Sequence, residues 1–416
     1  MNALRFPPSL LIALALAPMS SATAGAQTGP GPEPLALIHA NVLDVRTGRI
    51  AANQTVVLRG GRIEGVSAGP AAAGIRVIDL AGRTLVPGLV DAHTHIANLA
   101  AAKRALESGV TTVRSSGVSF FVDVALRDLA KSGAIAGPDF LASGYHVRDH
   151  LAEEAFYSDP SLSDLMGGVK TIPDILRVVR MNLAHGVDWI KINATERAGT
   201  PDTDPRKQMW SEAEMRAIVE EAAKKGIRVQ AHAHGAEGAL AAVKAGVASI
   251  EHGTYLTDEA LDLMKQKGTA FVPTYSTVID LAEPGGDYDH PVLILRGQAM
   301  LPRLADAVQR AYKKGILMVT GGDTSYGPNS ITRVSHEVRN FVKLGMTPID
   351  AIRAATVNAA VLLKMEKNIG AIEPGLEADL VAVAENPLED PGTLQDPLLV
   401  VSNGRVALDR LNFGKK

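Results

Sequence analysis

Five short segments of this 416-residue chain carry side chains suited to holding a metal ion. They are His93-Thr94-His95, Lys191 within Trp189-Ile190-Lys191-Ile192, His232-Ala233-His234, His252, and Asp323 after Gly321-Gly322. In an extended chain, positions i and i+2 share one face, so both imidazoles of a His-x-His can reach one ion. Imidazole and carboxylate together suit Zn2+ and related divalent ions. The chain contains no cysteine, which excludes disulfides, thiolate zinc sites, Fe–S clusters and a cysteine nucleophile. Taken singly, each segment has a plainer explanation: core or surface histidines, a lysine paired in a salt bridge, an aspartate in a turn. Their common position is what singles them out, because all of them fall in or just after a short apolar run.

Those runs read as strands: Leu89–Ala92, Thr111–Val113, Phe140–Ala142, Trp189–Ile192, Val229–Ala231, Ala248–Ile250, Ala270–Val272 and Leu317–Thr320. Helical patterns lie between them at Ala100–Ser108, Thr171–His185, Ser211–Lys225, Ala236–Ala245 and Thr257–Lys267. Ser211 with Glu214 forms a capping box, and Gly226, Gly246 and Gly268 follow three of the helices. Eight β/α units over residues 86–365 predict an α/β fold, a (β/α)8 TIM-type barrel, which brings scattered strand ends into one site. A doubly wound open sheet is the alternative, but neither a G-x-G-x-x-G between strand and helix nor a P-loop is present. The polar stretches 144–170 and 280–292 are expected to wall a substrate pocket.

Outside this body, short β-like runs at 27–85 and 366–416, with Gly60-Gly61 and Asn403-Gly404 as turns, predict one small β-sandwich built from both chain ends. Residues 1–26 have the layout of a secretory signal peptide, with Arg5, an apolar Leu10–Ala17 run and small residues at 22–26. The mature protein is therefore expected to be exported, periplasmic or secreted, with no membrane span. Lys plus Arg number 42 against 45 for Asp plus Glu, and aromatics make up only 4%. Such a balance argues against nucleic acid as a partner.

The motifs Val86-Pro87-Gly88-Leu89-Val90-Asp91-Ala92-His93-Thr94-His95, Ala231-His232-Ala233-His234-Gly235, Ile250-Glu251-His252-Gly253 and Gly321-Gly322-Asp323-Thr324 together resemble the amidohydrolase superfamily. The segment from Gly345 through Asn358 to Asp379-Leu380-Val381 strengthens the likeness, which covers nearly the whole mature chain. The nearest branch holds prolidase- and carboxypeptidase-like enzymes, imidazolonepropionase-like proteins and ochratoxin-hydrolysing amidases. The resemblance implies two divalent metal ions, usually Zn2+. His93 and His95 would hold the more buried ion and His232 and His252 the second. Lys191, N-carboxylated by CO2, would bridge them, and Asp323 would bind the first ion and carry protons. The resemblance favours His232 over His234 as the ligand. A metal-bridging hydroxide would then cleave an amide or peptide bond, with Asp323 passing the proton to the leaving amine.

His146, after the third strand, is a candidate oxyanion stabiliser, and His234 a candidate substrate or ligand-orienting residue. Arg148 and Tyr255 are candidates for a substrate carboxylate. His185, His290 and His336 are read as structural. Many relatives carry an acid after Thr-Thr-Val-Arg, where this chain has Ser115. Its loss changes the polarity of the pocket. The expected substrates are dipeptides or N-acyl amino acids, cut to release a C-terminal amino acid, with ochratoxin A as a candidate. The alternatives are a cyclic-amide hydrolase of the imidazolonepropionase type and a non-catalytic scaffold. Relatives often form homo-oligomers, and the same is expected here.

Overall fold

The computed structural model describes residues 31–412. The segment 1–26, read above as a signal peptide, lies outside the described residues. The chain starts with β1 (Leu35–Asp44), β2 (Arg49–Arg59), β3 (Arg62–Ser67), β4 (Arg76–Asp79) and β5 (Thr84–Pro87). The body follows with β6 (Leu89–Thr94), β7 (Val110–Ser115), β8 (Asp139–Leu141), β9 (Trp189–Asn193), β10 (Arg228–Ala233), β11 (Ser249–His252) and β12 (Ala270–Val272). The chain then returns through β13 (Leu380–Val383), β14 (Leu399–Ser402) and β15 (Arg405–Asp409).

Both chain ends share one eight-stranded sheet, in which β13 pairs antiparallel with β5 and β5 pairs parallel with β1. Alternation along β13 explains how this sheet sits. Val381 and Val383 join the core of the body, while Leu380 and Ala382 join a separate core with Leu35, Leu37, Val56 and Leu399. The β14–β15 turn places Asn403 at φ 49° and Gly404 at φ 75°, the left-handed pair that a two-residue hairpin needs.

The body contains two parallel sheets, β6-β7-β8 and β9-β10-β11-β12. Most of their residues are buried, as expected of parallel strands covered on both faces. Single bonds carry the pairing beyond the ladders. Val147 N donates to Lys191 O at 2.8 Å, Phe271 N to Leu317 O at 2.9 Å, and Ala92 N to Thr320 O at 3.1 Å. The expected eighth strand, Leu317–Thr320, therefore makes only isolated bridges, through Met318 to Phe271 and, further on, through Thr324 to Thr94. Two features interrupt a ladder there: Gly321-Gly322 and the left-handed backbone of Asp323 at φ 45°.

The expected helices are present within a residue or two of their predicted ends. Ser211 Oγ accepts from Glu214 N while the Glu214 carboxylate accepts from Ser211 N, so the capping box is complete. The stretch 144–170 is not loop throughout, since it contains a short helix, Glu153–Ser158, and a 3-10 segment, Pro160–Gly167. His290 caps the helix Pro291–Lys313, which closes the predicted loop 280–292. No helix among the described residues is long and apolar enough to cross a membrane.

Candidate metal centre and active site

The C-terminal ends of the body strands converge on one cavity. His93, His95, His146, Lys191, His232, His234, His252 and Asp323 all line it. Donor atoms of His93, His252 and Asp323 lie within 4.8 Å of one another, and so do those of His232, His234 and His252. The His232 and His252 ring centroids are 4.5 Å apart, and those of His234 and His252 are 4.6 Å apart. Both members of the second His-x-His thus reach the cluster.

The outward nitrogens of these rings fix their inward chemistry. His93 Nδ1 donates to Glu251 Oε2 at 2.9 Å, and His95 Nδ1 donates to the Gly117 carbonyl at 2.8 Å. His232 Nε2 donates to the Glu196 carbonyl at 3.1 Å. Thr274 gives its hydroxyl proton to the Pro273 carbonyl, so its oxygen accepts from His252 Nδ1 at 2.7 Å. In a neutral imidazole the other nitrogen then carries a lone pair. Those of His93 and His95 face Asp323 Oδ1 at 3.3 and 3.1 Å. Lone pairs directed at a carboxylate repel unless a cation lies among them, and this is the donor arrangement of a metal site.

Electrostatics keep the rings in the ligating form. Burial lowers the pKa of His95, lowers those of His146, His232 and His252 well below the usual imidazole value, and brings that of His234 to about 3. Lys191 is only 1% exposed, and its Nζ has no hydrogen-bond partner among the described residues. Burial brings it down to about 8. A buried amine with no partner and an accessible neutral form is suited to take up CO2 as a carbamate.

A second layer missed by the sequence analysis holds this cluster in place. Glu251, one residue before His252, points into the interior between β6 and β7. Its Oε1 accepts from Arg114 Nη2 at 2.8 Å while Oε2 orients His93. Burial opposes its charge, but Arg114 and His93 hold the carboxyl at about 2. The Arg114 guanidinium is fully buried, 4.7 Å from the Trp189 ring centroid. Asp91 clamps the other side, accepting from Gly322 N at 2.8 Å, His93 N at 3.1 Å and Tyr326 Oη at 2.8 Å. The fit is tight, for a Cβ at Gly322 would lie 2.7 Å from Asp91 Oδ2 and one at Gly321 2.8 Å from His93 Cβ. The available signal was a charged residue, Asp91, Arg114 or Glu251, inside each of three short strands.

Of the substrate candidates, His146 lies between the metal cavity and a second cavity that Arg148 also lines. Its Nδ1 donates to Asn193 Oδ1 at 3.0 Å. Tyr255 lines neither cavity; its backbone N bonds His234 O, and its half-buried ring lies in the field of Arg206 and Asp204. Arg197 and Tyr288 line the metal cavity instead. The negative charge of Asp323, with burial, raises the Tyr288 phenol. Tyr288 comes from the predicted wall 280–292, whereas nothing in the sequence marked Arg197. His185 stacks on Phe121 at 3.7 Å, outside both cavities.

Residues 84–407 match the model of the amidohydrolase family. Ochratoxinase of Aspergillus niger is 33% identical over 321 residues, 71% of this chain and 64% of that protein. The aligned part therefore spans slightly under two thirds of that relative. Its crystal structure superposes with a TM-score of 0.76 at 27% identity, covering 91% of this chain and 96% of that one. A Xaa-Pro dipeptidase with methionine bound in its active site gives a TM-score of 0.79 at 29% identity, covering 90% and 99%. Imidazolonepropionase of Symbiobacterium thermophilum is 26% identical over 407 residues, 86% of this chain and 87% of that protein. The chain belongs to the amidohydrolase family.

Proposed function

We propose that this protein is a binuclear metal-dependent hydrolase that cleaves an amide or peptide bond and releases a C-terminal amino acid from dipeptides or N-acyl amino acids. The observation that carries this reading is the set of ring lone pairs turned towards Asp323 beside an unpartnered, buried Lys191. His93, His95 and Asp323 would hold one ion and His232 and His252 the other, with carboxylated Lys191 between them. When bound, such ions, Zn2+ by donor chemistry, polarise a carbonyl and lower the pKa of water.

The chain's own groups supply the rest. Asp323 holds a proton acceptor among the ring nitrogens and is positioned to pass a proton to the leaving amine. His146, kept neutral by burial and oriented by Asn193, offers its second nitrogen at the cavity wall to a carbonyl oxygen that gains charge. Arg148 and Arg197 both line the second cavity and give a substrate carboxylate two cations. The hydrophobic side of the metal cavity, Val278 and Leu281, suits an apolar acyl group. Ochratoxin A, an aromatic amide of an amino acid, fits this description, and the ochratoxinase likeness supports it.

The architecture behind this reading is a closed (β/α)8 barrel over residues 86–365, with a β-sandwich from 27–85 and 366–416. The bonds from Val147 to Lys191, Leu317 to Phe271 and Thr320 to Ala92 support the closure. Export of the mature chain and homo-oligomeric assembly belong to the same reading. The test is to incubate metal-replete protein with a dipeptide and N-acyl amino acid library and follow free amino acids by mass spectrometry. Release of the C-terminal residue is expected. Inactivity on the whole library, with ring opening of a cyclic amide, would overturn it.

A further inference from the structure

A second group of metal-type donors lies at the opposite ends of the strands. Asp139 opens β8, and Glu377 and Asp379 lead into β13, so the group straddles the seam between the body and the terminal sheet. One oxygen from each of the three lies within 4.8 Å of the other two. Nearby donors satisfy only part of this charge. Asn403 Nδ2 donates to both Asp139 oxygens at 3.1 and 3.2 Å, and Asn403 N donates to Asp379 Oδ1 at 2.8 Å. Asn368 Nδ2 donates to Glu377 Oε1 at 3.2 Å, and Arg62 reaches the same oxygen at 3.9 Å.

After these contacts, Glu377 Oε2 and Asp379 Oδ2 are buried with no hydrogen-bond partner among the described residues. Asp379 is only 4% exposed, with the Thr111 hydroxyl close to its carboxyl. Burial, and then the neighbouring Asp139, push the Asp379 carboxyl well above its ordinary value, and burial raises Asp139 to about 6. Buried carboxylate oxygens normally find a donor or a cation. Here two such oxygens belong to a single cluster.

We propose that Asp139, Glu377 and Asp379 bind a divalent cation of the calcium or magnesium class, which fastens the terminal sheet to the parallel strands. The donors are all oxygen, the choice of hard cations, whereas the catalytic cluster is rich in imidazole. An open groove lined by Arg62, Lys131, Asn368 and Asn403 gives ions and completing water ligands access to the cluster. The N-terminal ends of barrel strands serve stability rather than chemistry, so the ion is structural.

The proposal is independent of the amide-hydrolase reading and is tested on transition-metal-loaded protein desalted into metal-free buffer. Ca2+ and Mg2+ are titrated separately by calorimetry, with thermal melts alongside. One saturable site per chain for at least one of them, with a higher melting temperature, is expected. Glu377→Gln should weaken that binding by at least about tenfold through loss of ligand charge. Asp379→Asn should do the same, and the more accessible Glu377 keeps the test decisive if that variant folds poorly. Asp323→Asn, in the other cluster, should leave the site intact. Saturation by neither ion, or undiminished binding in Glu377→Gln, would overturn the proposal in favour of a proton shared among the three carboxyls.

Discussion

The two ends of the parallel strands carry donor sets of opposite character. At the C-terminal ends, four histidines each spend one nitrogen on a fixed acceptor, namely Glu251, Gly117 O, Glu196 O or Thr274, and turn the other inward. At the N-terminal ends, three carboxylates meet with two oxygens left bare. The first arrangement fixes direction, which chemistry on a bound substrate requires. The second supplies charge with little orientation, which is enough for a structural ion. Second-layer hydrogen bonding, more than the number of donors, separates the two.

Asp323→Asn breaks the catalytic end most severely. It removes the proposed proton carrier and a carboxylate oxygen facing two rings, and kcat/KM for a dipeptide should fall by roughly 10²- to 10⁴-fold. Asp139→Asn, at the N-terminal end of β8 and away from the histidine cluster, should leave kcat/KM within about twofold. Equal losses in the two variants would erase the contrast.

The Arg114–Glu251 pair is next. Glu251→Gln leaves a fully buried guanidinium without its counter-charge and should cost about 3–5 kcal/mol in denaturant unfolding. Replacing both residues, with Arg114→Met and Glu251→Met, should restore much of that stability. Metal affinity should stay lowered, by roughly 10- to 100-fold, because His93 has lost its orienting acceptor. Full recovery of metal affinity would show that the pair only fills the core.

A third buried carboxylate sharpens the comparison. Glu337 accepts from Tyr275 N, Ser276 N and Ser276 Oγ, beneath the helix Tyr275–Ala282 that carries Thr277 to the cavity. Burial raises it from 4.5 to about 7. Its folded form therefore binds a proton that the unfolded chain has already lost between those values. This contribution to stability is complete below pH 4.5 and declines as pH rises to 7. In Glu337→Gln, melting temperatures should lose this part of their pH dependence. An unchanged slope would mean that the carboxyl is ionised throughout.

The smallest expected effect is on substrate binding. Arg148→Met should raise KM for a dipeptide by about tenfold with little change in kcat, the pattern of lost uniform binding. An N-acyl amine without the carboxylate should be insensitive to the substitution. A fall in kcat at unchanged KM would move Arg148 from binding to chemistry.

The clustering of His93, His95, His232, His252 and Asp323 was legible in the sequence because strand periodicity and strand ends limit where these side chains can point. The sheet built from both ends was equally visible, through alternation and the Asn403-Gly404 turn. What stayed hidden depends on long-range pairing. Glu251 and Arg114 come from β11 and β7, which lie in different sheets, and only the packing of those sheets brings them together. Tyr288 lies in the stretch 280–292 expected to wall the pocket, but only the folded chain shows that it, and not Tyr255, enters the cavity. The eighth strand was overread because an apolar run does not reveal that its ladder will be cut by Gly321, Gly322 and a left-handed Asp323.

Elemental analysis of purified wild-type protein beside Lys191→Ala tests the central claim most directly. The account predicts about two transition-metal ions per chain in the wild type, and one or fewer once the bridging side chain is removed. A single ion in the wild type, or two retained in Lys191→Ala, would contradict a binuclear centre bridged by Lys191.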